Sequence, residues 1–201
     1  MYTESQINAL IRRGNKKLPS TTWIFNCGTA RDCPSKALGL CQCADKCYAM
    51  KAERMYKNVL PFRERQRALW GNVTPKRFVS ALFLASNRSR TRAMESFRFN
   101  EAGDFSTQQD INWLTAVCKI LKQAGVSCYG YTARTDLNLT GLLKHSSVNV
   151  SNDKRNWIDK GANRFRAVKQ ATGKNPVCPG SCKACSLCQK VRGLEIEIPL
   201  H

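Results

Sequence analysis

Ser96-Phe97-Arg98-Phe99-Asn100, running into Glu101-Ala102-Gly103-Asp104, then Thr107, then Val126-Ser127-Cys128-Tyr129-Gly130-Tyr131, decides the fold of this chain. The first five residues alternate as a strand and break into a polar loop. Thr107 caps a helix that carries Ile111, Leu114, Val117, Cys118 and Leu121 on one face and closes at Gly125, so Cys118 reads as core. A second strand follows at once. Strand, loop, helix and strand at these lengths make a right-handed βα unit with parallel strands.

The rhythm extends in both directions. Residues 21–26 (Thr-Thr-Trp-Ile-Phe-Asn) and 147–151 (Ser-Val-Asn-Val-Ser) read as strands, and residues 194–198 as a last, alternating one. Thr74-Pro75 opens a helix through Phe78, Leu82 and Leu84, a threonine cap with proline in the first turn. The sequence also predicts a lead-in helix over residues 6–17, a helix from about residue 44 to a break at Pro61, a basic helix to about Trp70, and a short one ending at Lys144. The fold class is α/β, a mainly parallel sheet or partial (βα) barrel, in a single domain over residues 1–201.

In such folds the functional loops leave the carboxyl ends of the strands. Here those loops hold residues 27–47, 101–104, 134–136 and 152–154. Glu101, Asp104 and Arg134 are the candidate catalytic residues, two carboxylates to activate water and a guanidinium to stabilise an oxyanion. A Ser-His-Asp relay is disfavoured, because Gly-x-Ser-x-Gly is missing and the only histidines are His145 and His201.

Two segments are rich in cysteine. Cys178-Pro-Gly-Ser-Cys182-Lys-Ala-Cys185-Ser-Leu-Cys188 repeats the Cys-x-x-Cys step by which ferredoxin loops wrap one [4Fe–4S] cube. Cys182, Cys185 and Cys188 are the first three expected ligands, Cys178 is the fourth, and Cys33, Cys43 and Cys47 form the alternative source. Zinc is the second choice of metal. Disulfides are a distant third, since adjacent x-x pairs make strained bridges and nothing secretory accompanies them. Eleven cysteines in a chain without an apolar leader or membrane-length apolar run argue for a reducing compartment, with no membrane and no secretion.

Thirty-three Lys and Arg against fourteen Asp and Glu give a net charge of +19. Residues 51–92 concentrate the excess in Lys51, Arg54, Lys57, Arg63, Arg65, Arg67, Lys76, Arg77, Arg88, Arg90 and Arg92, against Glu53 and Glu64. Such a stripe is either a solvated helix face or a nucleic-acid surface.

Cys33-Pro34, Cys43-x3-Cys47-Tyr48-Ala49, Phe97-Arg98-Phe99-Asn100-Glu101-x-Gly103-Asp104-Phe105, Tyr131-Thr132-Ala133-Arg134 and the terminal cysteine run together resemble a family of small bacteriophage-encoded iron–sulphur proteins. The resemblance spans residues 21 to 190. It implies a βα layout similar to that of radical S-adenosylmethionine enzymes, an iron–sulphur cluster, hydrolysis of small carboxylic esters, and expression in the cytoplasm of an infected bacterium. The cysteine spacing 178-182-185 matches the radical enzymes, but theirs follows the first strand, which disfavours that activity here. Three functions follow as expectations: a cluster-bearing ester hydrolase, a redox or sensing cluster protein, and a zinc-stabilised nucleic-acid binder.

Overall fold

The computed structural model describes residues 2–88, 93–151, 156–183 and 185–199. In chain order the elements are α1 (Glu4–Ala9), β1 (Arg12–Arg13), β2 (Thr22–Phe25), α2 (Pro34–Ala37), α3 (Tyr48–Met55), α4 (Val59–Leu69), α5 (Pro75–Asn87), β3 (Ser96–Phe99), α6 (Gln108–Gln123), β4 (Ser127–Thr132), α7 (Thr140–Leu143), β5 (Ser147–Ser151), β6 (Asn163–Val168), α8 (Leu187–Lys190) and β7 (Glu195–Pro199). The strands form one sheet in the order β1 to β7, parallel throughout except for β1. Each strand pairs with the next in sequence, the progression of a partial barrel rather than of a doubly wound sheet.

Period-2 alternation gives the sheet two unlike faces. Trp23, Phe25, Phe97, Phe99, Cys128, Val148 and Val150 share one buried cluster with Phe78, Leu82, Ile111, Leu114, Cys118 and Leu142 of the helices. Phe25 anchors it, stacked on Trp70 at 5.5 Å and packed against Phe78 at 4.9 Å. The other face carries Arg98, Tyr129, Tyr131, Asn149 and Asn163, set by the same alternation. Gly130 is required where the faces meet the core, because a Cβ there would collide with the ring and carbonyl of Phe99.

Local signals set α5 and α6. Thr74 Oγ1 accepts from the Arg77 N–H with Pro75 in the first turn, and Thr107 and Asp110 form a capping box. Long-range contacts overrule the sequence elsewhere. The helix expected over residues 6–17 stops at Ala9, because Arg12 and Arg13 pair with β2 and the Arg13 guanidinium lies 4.5 Å over the Trp23 ring. The helix expected from about residue 44 begins only at Tyr48: a turn joins Cys43 O to the Lys46 N–H, and Cys47 caps α3 from outside. The break before α4 falls at extended Tyr56, whereas Pro61 sits in the first turn of α4, where its missing N–H costs nothing. Strand β6 lies in a stretch the sequence reading passed over, although Phe165 between Arg164 and Arg166 carries the alternation. Arg90, Arg92, the loop at 152–154 and His201 lie outside the described residues.

Candidate metal centre

The first cysteine segment leaves the carboxyl end of β2, as topology requires, and is fixed by buried charge. Glu53 accepts from the Ala30 and Arg31 N–H groups at 2.7 and 2.9 Å and from Arg63 Nη1 at 2.8 Å. Arg63 also donates to Ala49 O at 2.9 Å. The Arg63 and Glu53 side chains are 5% and 3% exposed, so Arg63 belongs to this clamp and not to a nucleic-acid surface. Arg67 is committed too, to Cys27 O and Asp110.

Asp104 performs the same service from β3. One oxygen accepts from Ser35 Oγ at 2.6 Å and the Ala133 N–H at 2.7 Å, the other from Thr132 Oγ1 at 2.6 Å and the Phe105 N–H at 2.9 Å. Burial raises its pKa above the usual carboxylate range, opposed by these four donors. Arg134 binds Asp136 with Nε and Nη2 and the Phe105 and Ser106 carbonyls with Nη1. Both residues tie rim loops together. Gly103, at φ +68°, packs where a Cβ would lie 2.5 Å from the Gly28 carbonyl carbon. Glu101 is placed differently: it accepts from Asn15 at 2.6 Å and has Arg12 3.6 Å away.

Around Asp104 stand the half-buried thiols. Burial, then the Asp104 charge, push Cys33 up to about 11. Burial also raises Cys41 and Cys43, with further contributions from the neighbouring thiols. Cys118 and Cys128 are buried in the core, as read for Cys118.

The second segment connects β6 to β7 but does not stay on the rim. It lies across the polar face of the sheet: α8 packs on β4 and β5, Ser147 Oγ donates to Gln189 O at 2.8 Å, and Asn163 Nδ2 donates to Val191 O at 2.8 Å. At its start, the Cys178 N–H bonds Glu197 O at 2.8 Å. Beneath it is Arg98, its guanidinium 5.0 Å over the Tyr131 ring, with Nε sealed from solvent and without a hydrogen-bond partner. Tyr129 Oη is equally sealed and unpartnered, the neighbouring Thr22 hydroxyl being engaged with Ser96 Oγ at 2.9 Å.

Tyr131 Oη lies 3.3 Å from Cys188 Sγ. Burial holds the Tyr131 phenol well above its ordinary pKa, and either group can be the donor of this pair. Burial raises Cys188, opposed by that hydrogen bond, with Cys182 and Cys178 adding to the rise. Cys182 is raised by burial and drawn down by the Arg98 charge, while Cys178 and Cys185 push it up. Cys182 therefore stands within electrostatic reach of the other three thiols of the run.

Among the described residues, no three histidine, cysteine, aspartate or glutamate side chains converge closely enough to hold a metal ion. The donor set still suits a soft metal: four free thiols in one short run, half-buried, above a fixed cation. Arg98 is the candidate residue that sequence reading missed. Its signal was an arginine at an inward position of a parallel strand, where both faces are ordinarily apolar.

No helix among the described residues is long and apolar enough to cross a membrane. No curated protein and no solved structure matches the chain. A family model does match, described as Gene product 88, of phage type in keeping with the resemblance of the motifs, and it stops short of the cysteine run. Because that match covers residues 3–176, taking in Asp104, the first cysteine segment and the Arg98 strand, the chain belongs to the Gene product 88 family.

Proposed function

We propose that this phage protein is an iron–sulphur protein whose Cys178, Cys182, Cys185 and Cys188 hold a [4Fe–4S] cluster over the polar sheet face. The observation that carries this reading is Arg98. Arginine keeps its charge at every ordinary pH; this one is half-buried with its Nε sealed and without a partner, Glu101 acts on it from the rim, and the thiols of Cys182 and Cys188 stand within reach of its charge. Thiolates bound to iron supply a negative counter-charge. Tyr131 donates to the Cys188 sulphur and Arg98 balances the charge from below. When bound, a cluster with four cysteine ligands supplies one-electron transfer, which favours a redox or sensing role.

Ester hydrolysis is the second reading. Asp104 and Arg134 spend their hydrogen bonds on the rim, so it falls to Glu101 beside Arg12, a largely buried carboxylate for water activation next to a cation. The test is anaerobic purification with iron and sulphide analysis. A brown protein with absorbance near ~400 nm, lost when Cys182, Cys185 and Cys188 are replaced by Ser, supports the cluster. A colourless protein with stoichiometric zinc overturns it. Turnover of p-nitrophenyl esters that Glu101→Gln abolishes would establish the second reading.

A further inference from the structure

At the amino end of the sheet, opposite the carboxyl rim, a cleft of about 360 Å³ is lined by residues from four segments. Lys122 comes from α6, Ser127 and Cys128 from the start of β4, His145 to Ser147 from the entry to β5, and Gln189, Lys190 and Arg192 from α8 and beyond. No aspartate or glutamate is among the lining residues. The volume is that of a small-ligand pocket.

The cations are held in place and not used up. Lys122 Nζ donates to Lys144 O at 3.0 Å and Arg192 Nη1 to Leu143 O at 2.6 Å. A lysine has three N–H donors and an arginine five, so each keeps donors beyond the one that anchors it. Ser146 and Ser147 give their hydroxyl protons to Leu142 O and Gln189 O. Their oxygens fix the walls, and the lysines and arginine supply the binding capacity.

His145 reports the field in the cleft. Its pKa is lowered, first by burial and then by Lys122, Lys119 and Lys144. The charged groups that act on it are Lys119 and Lys122 of α6 and Lys144 after α7, and Lys190 at the end of α8 and Arg192 beyond it line the same cleft. All are cationic.

From this cleft and its charge we propose a binding site for a small phosphate-bearing ligand, inorganic phosphate or a phosphomonoester. Three cations from two separate segments line the cleft and match the charge of a phosphate dianion, with the Arg192 fork suited to two of its oxygens. The site is distinct from residues 51–92 and from the first cysteine segment, and it shares α8 with the second, whose thiols are not among its lining residues.

The sequence has two histidines, His145 and His201, so NMR titration of the imidazole signals of the full chain reads the site directly. Phosphate should shift the His145 signals saturably and raise its pKa, leaving His201 as the reference. A nucleoside 5′-monophosphate run alongside separates the two sources: tighter binding than phosphate identifies a phosphomonoester site, equal binding a site for phosphate itself. The variants Lys122→Ala and Arg192→Gln should weaken binding by at least about tenfold, and Lys190→Ala, an exposed change, provides the same comparison if either fails to fold. A non-saturable response, an equal response to chloride at matched ionic strength, or unchanged affinity in folded variants would overturn the proposal.

Discussion

The two cysteine segments of this protein are held by opposite means. The first is locked to the carboxyl rim by carboxylates that are fully used, Glu53 by Arg63 and two N–H groups, Asp104 by two hydroxyls and two N–H groups. The second rests on carbonyl contacts at its ends and covers a cation whose Nε has no partner. One segment is complete as a protein structure. The other lies over Arg98, whose Nε has no partner and whose charge reaches the Cys182 and Cys188 thiols as well as Glu101. Cysteine count alone would have ranked the two alike.

The sharpest way to break this contrast is to disarm the first segment. Replacing Glu53 with Gln leaves Arg63 buried without its counter-ion and should cost about 3–5 kcal/mol, read from denaturant midpoints. A loss below about 1 kcal/mol would mean the clamp behaves as a surface pair. Asp104→Asn should cost somewhat less, about 2–3 kcal/mol, and it carries a pH signature. Burial raises the folded pKa of Asp104, so the folded state binds its proton more tightly than the unfolded state. The associated stability is present below the ordinary carboxylate pKa and is lost as pH rises through the raised value. Denaturation across the weakly acidic range should show that decline in the parent protein and a flatter profile in Asp104→Asn.

The second segment should respond more weakly. Tyr131→Phe removes one hydrogen bond, about 0.5–1.5 kcal/mol, and lets the Cys188 thiol rise further. Metal-free protein should then show slower alkylation at Cys188, with Cys33, held near 11 by burial and Asp104, slow in both forms. An unchanged Cys188 rate would dissociate Tyr131 from that sulphur. Smallest of all on the metal-free fold is the triple replacement of Cys182, Cys185 and Cys188 by Ser, within about 0.5 kcal/mol. In the iron-loaded protein the same change should remove the metal altogether.

Legibility in the sequence followed the range of the interactions. The helix caps at Thr74 and Thr107, the strands around Phe97 and Tyr129 and the parallel sheet were all readable, because their signals lie within a few residues. Glu53 and Arg63 were read as part of a charged stripe, since nothing local distinguishes a solvated pair from a buried clamp. The rim position of Glu101, Asp104 and Arg134 followed from topology. That Asp104 and Arg134 are tied into loop contacts depends on Ser35, Thr132 and Asp136, and pairings across the fold leave no periodic trace. Arg98 was visible within its strand, but its meaning required knowing that helices cover only one face.

The strict succession of strands from β2 to β7 also has a consequence for how the protein is made. Each strand emerging from the ribosome can add to the edge left by the one before it, so the sheet grows in a single direction during synthesis. The cysteine run arrives after β6 and before β7, onto a face already laid down. Until Glu195–Pro199 pairs with β6, that growing edge stays open. The interval between synthesis of β6 and of β7 is therefore the one in which the thiols, the arginine beneath them and an unpaired strand edge are exposed together.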